Sequence, residues 1–341
     1  MAVEVALIAI CALVIAVFGT GVVRRIAVTR GIIDVPNQRS SHAVPTPRGG
    51  GIGIVVAATL GFIALGVLKV ASAELAFALV GGGVAVAVVG FIDDRRGASV
   101  AVRLLVHVAA AAWATFWLGE LPPVHIGHEV YNLGGWGYVF ELLVIVWVLN
   151  LFNFMDGIDG LAVTEAVIVA WGGAGLGVLA GGSAAVPATA VVFGAACSGF
   201  AVWNWPPAKI FMGDVGSGYL GYVIAVLALA AAHESPVALL VWLILGAAFF
   251  VDATLTLLRR LARLQPIHSP HRSHAYQWLA RRWGTHKRVT VIFMVVNLAW
   301  LLPCALLATL QPAHALEVWI IATVPLGILA WVSGAGREEV W

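Results

Sequence analysis

Long apolar runs separated by short polar joints dominate the chain. A helix needs about 20 predominantly apolar residues to cross the hydrocarbon core of a bilayer. That ruler picks out residues 3–23, 50–68, 75–92, 104–118, 138–154, 161–179, 185–202, 218–232, 236–258, 289–310 and 316–332. The pattern predicts an all-α polytopic integral membrane protein of about eleven transmembrane helices. The opening Met1 to Glu4 has neither a basic n-region nor a following small-residue cleavage site, so the first run is expected to stay as a span. No internal repeat, low-complexity tract or soluble domain interrupts the runs, which predicts a single transmembrane domain over residues 1–341. Residues 122–137, with Gly134 and Gly135, are expected to form a short surface hairpin or loop without chemistry.

Composition agrees with a bilayer as solvent: 61% of residues are hydrophobic and 11% charged, and the mean hydropathy is +0.98. Soluble domains are roughly 45–50% apolar and 25% charged. A formal charge of +2 is too small to suggest nucleic acid, so the position of the charges matters more than their sum. With the N-terminus outside and the C-terminus inside, every Lys and Arg except Lys69 falls on the cytoplasmic side. Leaving out one span would invert every later joint and scatter the positive charge. The same arrangement gathers Asp34, Asp93, Asp94, Asp156, Asp159, Asp214 and Asp252 at or near the cytoplasmic face. Positive-inside insertion does not sort Asp, so short carboxylates on one face suggest metal or phosphate work, chance among few residues being the alternative. Cys11, Cys197 and Cys304 lie in apolar runs without metal-ligand spacing and are expected to pack as small hydrophobes.

Candidate chemistry sits in the cytoplasmic joints 24–49, 93–103, 153–160, 203–217 and 259–288. The first holds Asp34, His42 and Arg48, then glycines 49–51 leading into a span. Such glycines leave backbone N–H groups open to an anion, and with Arg48 they make a candidate phosphate site. A solvated loop with a glycine-rich entry into lipid explains that stretch equally well. Asp93 and Asp94 end a span, where adjacent carboxylates repel unless a cation, a proton or an arginine offsets them. The pair suits Mg²⁺ binding or a base; alone, it reads more readily as a cluster neutralised by Arg95 and Arg96.

Asn150, Asn153, Asp156 and Asp159 recur every third residue, a spacing expected to hold them on roughly one helical face, with no Lys or Arg in the loop. Uncompensated acids at the mouth of apolar spans are costly unless they meet a ligand or ion, so binding is the stronger reading there. Asp214, set among glycines, is a candidate oxygen donor to Mg²⁺ on a diphosphate, and Phe211 offers an aromatic face for a base. A helix-capping turn is the plain alternative. His268, His271, Arg272 and His274 are cations suited to diphosphate oxygens. Zinc is disfavoured there, because Pro270 and the arginines oppose a compact cationic site and no cysteine is at hand. His107, in mid-span, is expected to be a hydrogen-bonded structural residue.

Taken in order, DVPNQRSSHAVPTPRGGG, GFIDDRRG, NLFNFMDGIDGLA, FMGDVGSG and HSPHRSHAYQ resemble the motifs of the polyprenyl-phosphate N-acetylhexosamine-1-phosphate transferases, over residues 34–277. That family includes the phospho-MurNAc-pentapeptide translocase. The histidine joint reads HRSHAYQ rather than a run of histidines, so the chain is more similar to enzymes that start O-antigen or teichoic-acid-type lipid-linked glycans. The resemblance implies transfer of an N-acetylhexosamine 1-phosphate from a UDP-sugar to undecaprenyl phosphate, at the cytoplasmic face of a bacterial inner membrane. It implies Mg²⁺, with Mn²⁺ as a substitute, held by Asp214 and Asn153. Phe211 would stack on uracil, Asp156 and Asp159 would line the nucleotide-sugar pocket, and Asp93 and Asp94 would be the catalytic acids. His271, Arg272 and His274 would hold the diphosphate or sugar, and His42 and Arg48 would complete substrate binding. The implied partners are undecaprenyl phosphate, a UDP-N-acetylhexosamine, the bilayer and, as a homodimer, a second copy of the chain.

Two other functions compete. A CDP-alcohol phosphotransferase carries DxxDGxxAR, which Asp156, Asp159 and Gly160 begin to match; Val163 and Thr164 then stand in the last two places. A secondary transporter places its site near the midplane and often repeats its halves, neither of which is visible here.

Overall fold

The computed structural model describes residues 1–36, 44–126, 129–235, 237–265 and 271–337, so His42 and His268 lie outside the described residues. In chain order its helices are α1 (Ala2–Thr29), α2 (Ile52–Val67), α3 (Ala73–Arg96), α4 (Val100–Leu118), α5 (Trp136–Met155), α6 (Leu161–Leu179), α7 (Ala185–Asn204), α8 (Asp214–Glu234), α9 (Ala238–Leu245), α10 (Ala247–Ala262), α11 (Ala275–Trp283), α12 (His286–Leu310) and α13 (Pro312–Ser333). Among the described residues, nine of these are long and apolar enough to cross a membrane. The protein is therefore an all-α polytopic membrane protein.

Two of the eleven expected runs take another form. Residues 50–68 yield α2, a helix of 16 residues. The run 236–258 is broken into α9 and α10, which meet at 76°. The break falls at Gly246, where the backbone (φ −91°, ψ 7°) leaves helical geometry and an added Cβ would meet the Phe250 ring at 2.6 Å.

Helix α8 forms the axis of the bundle: it is buried from Val215 to Ala232 and packs against α2, α3, α5, α6, α7 and α9. Small residues permit that crowding: a Cβ on Gly221 would lie 2.7 Å from the Leu149 Cα. The outer helices instead expose Phe18, Val22, Ile321 and Leu329, as expected where the solvent is lipid. In α3 a π turn spans Ala78–Gly82, and the Ala78 carbonyl there accepts from the Tyr222 hydroxyl at 2.7 Å.

Strands are few. A hairpin pairs β1 (Ile33–Asp34) with β2 (Thr46–Pro47), and a second pairs β3 (Val124–Ile126) with β4 (Glu129–Tyr131), where a surface hairpin was expected. The joints after α1, α3, α5 and α7 come together at one end of the bundle through contacts set out below.

Candidate active site

A short ladder docks the joint before α2 onto the joint before α8. Phe211 donates its N–H to the Pro47 carbonyl (2.8 Å), while Gly50 and Gly51 donate to the carbonyls of Phe211 and Met212 (2.9 Å each). Glycine is required for that approach: a Cβ on Gly51 would fall 2.7 Å from the Gly216 nitrogen. The amides of Gly50 and Gly51 are thus occupied, and the expectation that they stand open to an anion does not hold. What the joint delivers is Arg48.

Arg48 Nη2 pairs with Asp94 Oδ1 at 2.8 Å and with Asp214 Oδ1 at 2.9 Å. Burial opposes the Arg48 charge, and the carboxylates of Asp94, Asp214 and Asp34 more than offset that, holding the guanidinium above its usual range. Asp94 also accepts the N–H groups of Asp214 (2.9 Å) and Val215 (3.1 Å), capping α8 from another helix. Asp93 accepts from the Ala98 N–H at 2.6 Å and from Arg103 Nη1 at 2.7 Å. Arg103 Nη1 also reaches Asp214 Oδ2 at 3.6 Å. The neighbouring acids are therefore offset by Arg48 and Arg103. Arg95 and Arg96, expected to neutralise them, are exposed, and the Arg95 guanidinium lies over the Phe91 ring. Arg103 was missed in the sequence, although it stands ten residues after Asp93 at the start of a span.

The acidic turn departs from one helical face. Helix α5 stops at Met155; Asp156 is its C-cap (φ −85°, ψ 53°), and Gly160 is left-handed (φ 75°) before α6 begins. Only Asn150 and Asn153 remain on the helix, because the glycines at 157 and 160 turn the chain. Asn153 Nδ2 donates to Ser217 Oγ at 2.9 Å. Asp159 is not uncompensated: it accepts the Ala208 N–H at 3.0 Å and lies 3.1 Å from His286 Nδ1. Burial pushes the Asp156 carboxyl well above the ordinary range, and the charge of Asp214 adds to the effect.

Two cavities flank the cluster. The larger, of about 600 Å³, is bounded by Asp159, Phe211, Arg272, Arg281, His286 and Lys287. Its basic wall and aromatic face suit a nucleoside diphosphate. Arg281, His286 and Lys287 lie in the 259–288 joint but not in its histidine motif; the fold of α11 and α12 brings them in. The second cavity, of about 300 Å³, runs between α3, α4, α5 and α8 and includes Arg103, His107, Asn153, Asp214, Leu104 and Trp147. Leu104 and Trp147 are exposed on the flank of the bundle, so this cavity opens toward lipid. His107 belongs to it, and its Nδ1 has no hydrogen-bond partner, contrary to the expected structural bond. The turn from Phe211 to Asp214 has one end in each cavity.

The histidine joint does not present three cations to one point. Arg272 lines the large cavity. His271 lies 3.0 Å from Ser273 Oγ, and burial, with His274 and Arg260 adding, lowers its pKa to about 3, so the ring is neutral. His274 is buried, its ring stacked between His271 (5.0 Å) and Tyr276 (5.8 Å). Among the described residues no three His, Cys, Asp or Glu side chains close into a metal cage.

A membrane-embedded helical bundle whose one end joins a basic, aromatic cavity to a lipid-facing one through arginine-held carboxylates defines the class: a polytopic membrane protein with a phosphate-handling site at the membrane edge. Sequence comparison makes it specific. Residues 76–232 match the model of glycosyl transferase family 4. A probable undecaprenyl-phosphate N-acetylglucosaminyl 1-phosphate transferase of Bacillus subtilis is 30% identical, over 94% of this chain and 89% of its own. A decaprenyl-phosphate N-acetylglucosaminephosphotransferase of Mycobacterium tuberculosis is 31% identical, over 85% of this chain and 79% of its own. A phospho-N-acetylmuramoyl-pentapeptide-transferase of Ruegeria pomeroyi is 30% identical, over 63% of this chain and 67% of its own. The chain belongs to glycosyl transferase family 4.

Proposed function

We propose that the protein transfers N-acetylhexosamine 1-phosphate from a UDP-sugar to undecaprenyl phosphate, releasing UMP and forming a polyprenyl-diphospho-sugar that starts a cell-envelope glycan. One observation carries this reading: the Phe211 to Asp214 turn reaches the basic, aromatic cavity at one end and the lipid-facing cavity at the other. A reaction between a nucleotide diphosphate and a lipid phosphate needs two such approaches to one phosphorus. The joints that carry the site are also those that positive-inside insertion puts in the cytoplasm. Counting α2 and the bent α9–α10 pair as spans would give eleven, and the positive-inside rule supports an N-terminus outside, in a bacterial inner membrane.

Phe211 would stack on uracil, with Asp156 and Asp159 shaping that end of the pocket. Arg272, Arg281 and Lys287 would meet the diphosphate and sugar. Arg103, at the head of the lipid-facing cavity, would receive the acceptor phosphate. A phosphate monoester has a second pKa near 6 and is mostly dianionic at neutral pH, which favours direct attack over a covalent aspartyl route. The acceptor oxygen bonds to the β-phosphorus, the bond from that phosphorus to the bridging oxygen breaks, and UMP leaves with the electron pair. Asp93 takes any proton the acceptor still carries. Asp94, saturated by the head of α8 and by Arg48, holds the site in shape.

Magnesium suits this donor set, because Mg²⁺ is ordinarily held by one or two carboxylates together with substrate phosphates rather than by an all-protein cage. Asp214 and Asn153, which share a cavity wall, would hold it. When bound, the ion neutralises charge at the diphosphate. The test is nucleotide release by detergent-purified protein given Mg²⁺, undecaprenyl phosphate and several UDP-N-acetylhexosamines in turn. UMP release that depends on both lipid and metal is expected. No release from any UDP-sugar, or CMP release from a CDP-alcohol, overturns the reading.

A further inference from the structure

Asp252 lies on α10, beyond the 76° break, and is buried. Its carboxylate reaches across to another element: Oδ1 accepts the Ala275 N–H at 2.8 Å and Oδ2 accepts the Tyr276 N–H at 3.0 Å. Those are the first amides of α11, which a residue immediately before the helix ordinarily satisfies. Here the preceding residue, His274, closes a capping box with Gln277, its own N–H donating to Gln277 Oε1 at 3.2 Å, and its Nδ1 stands 3.8 Å from Asp252 Oδ1, outside hydrogen-bond reach, so the Ala275 and Tyr276 amides take their acceptors from Asp252. Thr256 adds a hydroxyl to Asp252 Oδ1 at 3.3 Å. A buried carboxylate therefore fixes where α11 begins, and with it the histidine joint.

The link continues into the acidic turn. The Tyr276 hydroxyl donates to the Phe154 carbonyl at 3.0 Å, two residues before Asp156. Gly157 lies under the same hydroxyl, leaving no room for a side chain there. Phe154 also stacks on the His274 ring, with centroids 6.3 Å apart. Asp252 itself is absent from the walls of both site cavities.

We propose that Asp252 is a positioning residue for the sugar-nucleotide side of the reaction, acting through the head of α11 on Arg272 and, through Tyr276, on the turn carrying Asp156 and Asp159. The inference rests on the proposed transferase function for its kinetic arm and on geometry alone for its structural arm. In Asp252→Asn one oxygen becomes an NH₂ group facing a backbone N–H, so one of the two amides loses its acceptor. A small displacement at a distance from the chemistry can cost roughly a hundredfold in rate.

Asp252→Asn should raise the KM for the UDP-sugar and lower kcat, together costing about a hundredfold in kcat/KM, with the KM for undecaprenyl phosphate unchanged. Asp252→Glu, which keeps both oxygens, should recover part of the loss. Tyr276→Phe leaves the Asp252 cap in place, removes only the hydroxyl that reaches Phe154, Gly157 and Gln277, and should raise the UDP-sugar KM on its own. Hydrogen exchange of the 275–280 amides should speed up in Asp252→Asn while α8 stays protected, a readout that needs no turnover. Donor and acceptor KM rising together, or unchanged exchange at 275–280, overturns the proposal. Should Asp252→Asn fail to insert, an unchanged UDP-sugar KM in Tyr276→Phe overturns it instead. Wild-type protein that releases no UMP sinks the transferase reading and leaves the exchange experiment to decide the Asp252 link.

Discussion

At the scale of single residues, neighbouring acids differ by what already occupies their oxygens. Asp94 is spent on two backbone amides and Arg48, and its side chain is 5% exposed, whereas Asp214, though paired with Arg48 and approached by Arg103, is 24% exposed and faces a cavity. Asp214→Asn should therefore abolish UMP release at ordinary Mg²⁺ with the protein still folded and inserted, as a melting curve in detergent would check. Near wild-type rates would remove Asp214 from the metal site. His271 sets a pH dependence of stability. Its imidazole binds a proton below about 3 when folded, against an ordinary 6.5, so between those values the unfolded chain holds more protons. The stability this group contributes is complete above pH 6.5 and lost progressively as pH falls below it. His271→Gln should flatten that part of the profile, read as melting temperature between pH 7 and pH 5. An unchanged slope would show that the ring titrates normally.

At the scale of elements, what was legible follows from what lipid demands. Continuous apolar runs announce spans, because unpaired backbone cannot face hydrocarbon, and so most helices could be placed from hydrophobicity alone. The break at Gly246 was not legible, since the run reads apolar on both sides. The polar motifs lie in joints that the fold gathers at one end of the bundle, but they do not give each residue's partner. Arg95 and Arg96 follow Asp94 in sequence, yet they are exposed, and the acids are met instead by Arg48 from another joint and by Arg103 from the next helix. Partner identity is a tertiary fact, as is the cap that Asp252 gives to α11. The glycines before α2 admit an anion cradle or a glycine-rich entry into lipid as sequence, and in the fold Gly51 serves the close approach to α8. Gly51→Ala tests that packing: a Cβ against backbone forces a shift, and overpacking of this kind costs about 1–3 kcal/mol. A lowered melting temperature is expected, with activity falling alongside as Arg48 moves; unaltered melting would mean that the joint yields easily.

At the scale of the whole molecule, the geometry divides the reaction between two media. The large cavity has charged and polar walls suited to a water-borne nucleotide. The smaller one begins among side chains that face hydrocarbon and ends at Arg103 and Asp214. Neither solvent alone carries both reactants, so a cluster of half-buried, arginine-held carboxylates at the boundary is where a soluble diphosphate and an insoluble phosphate would meet. If that division is correct, the two sides can be blocked separately. Leu104 is 49% exposed and borders the lipid-facing cavity without touching the larger one. Leu104→Trp should narrow the lipid entry and raise the KM for undecaprenyl phosphate by about tenfold, equivalent to about 1.4 kcal/mol. Affinity for UDP, measured by calorimetry in detergent, should stay at the wild-type value. Loss of UDP binding in that variant would mean that the two cavities act as one, and the acceptor would then have to enter from the aqueous side.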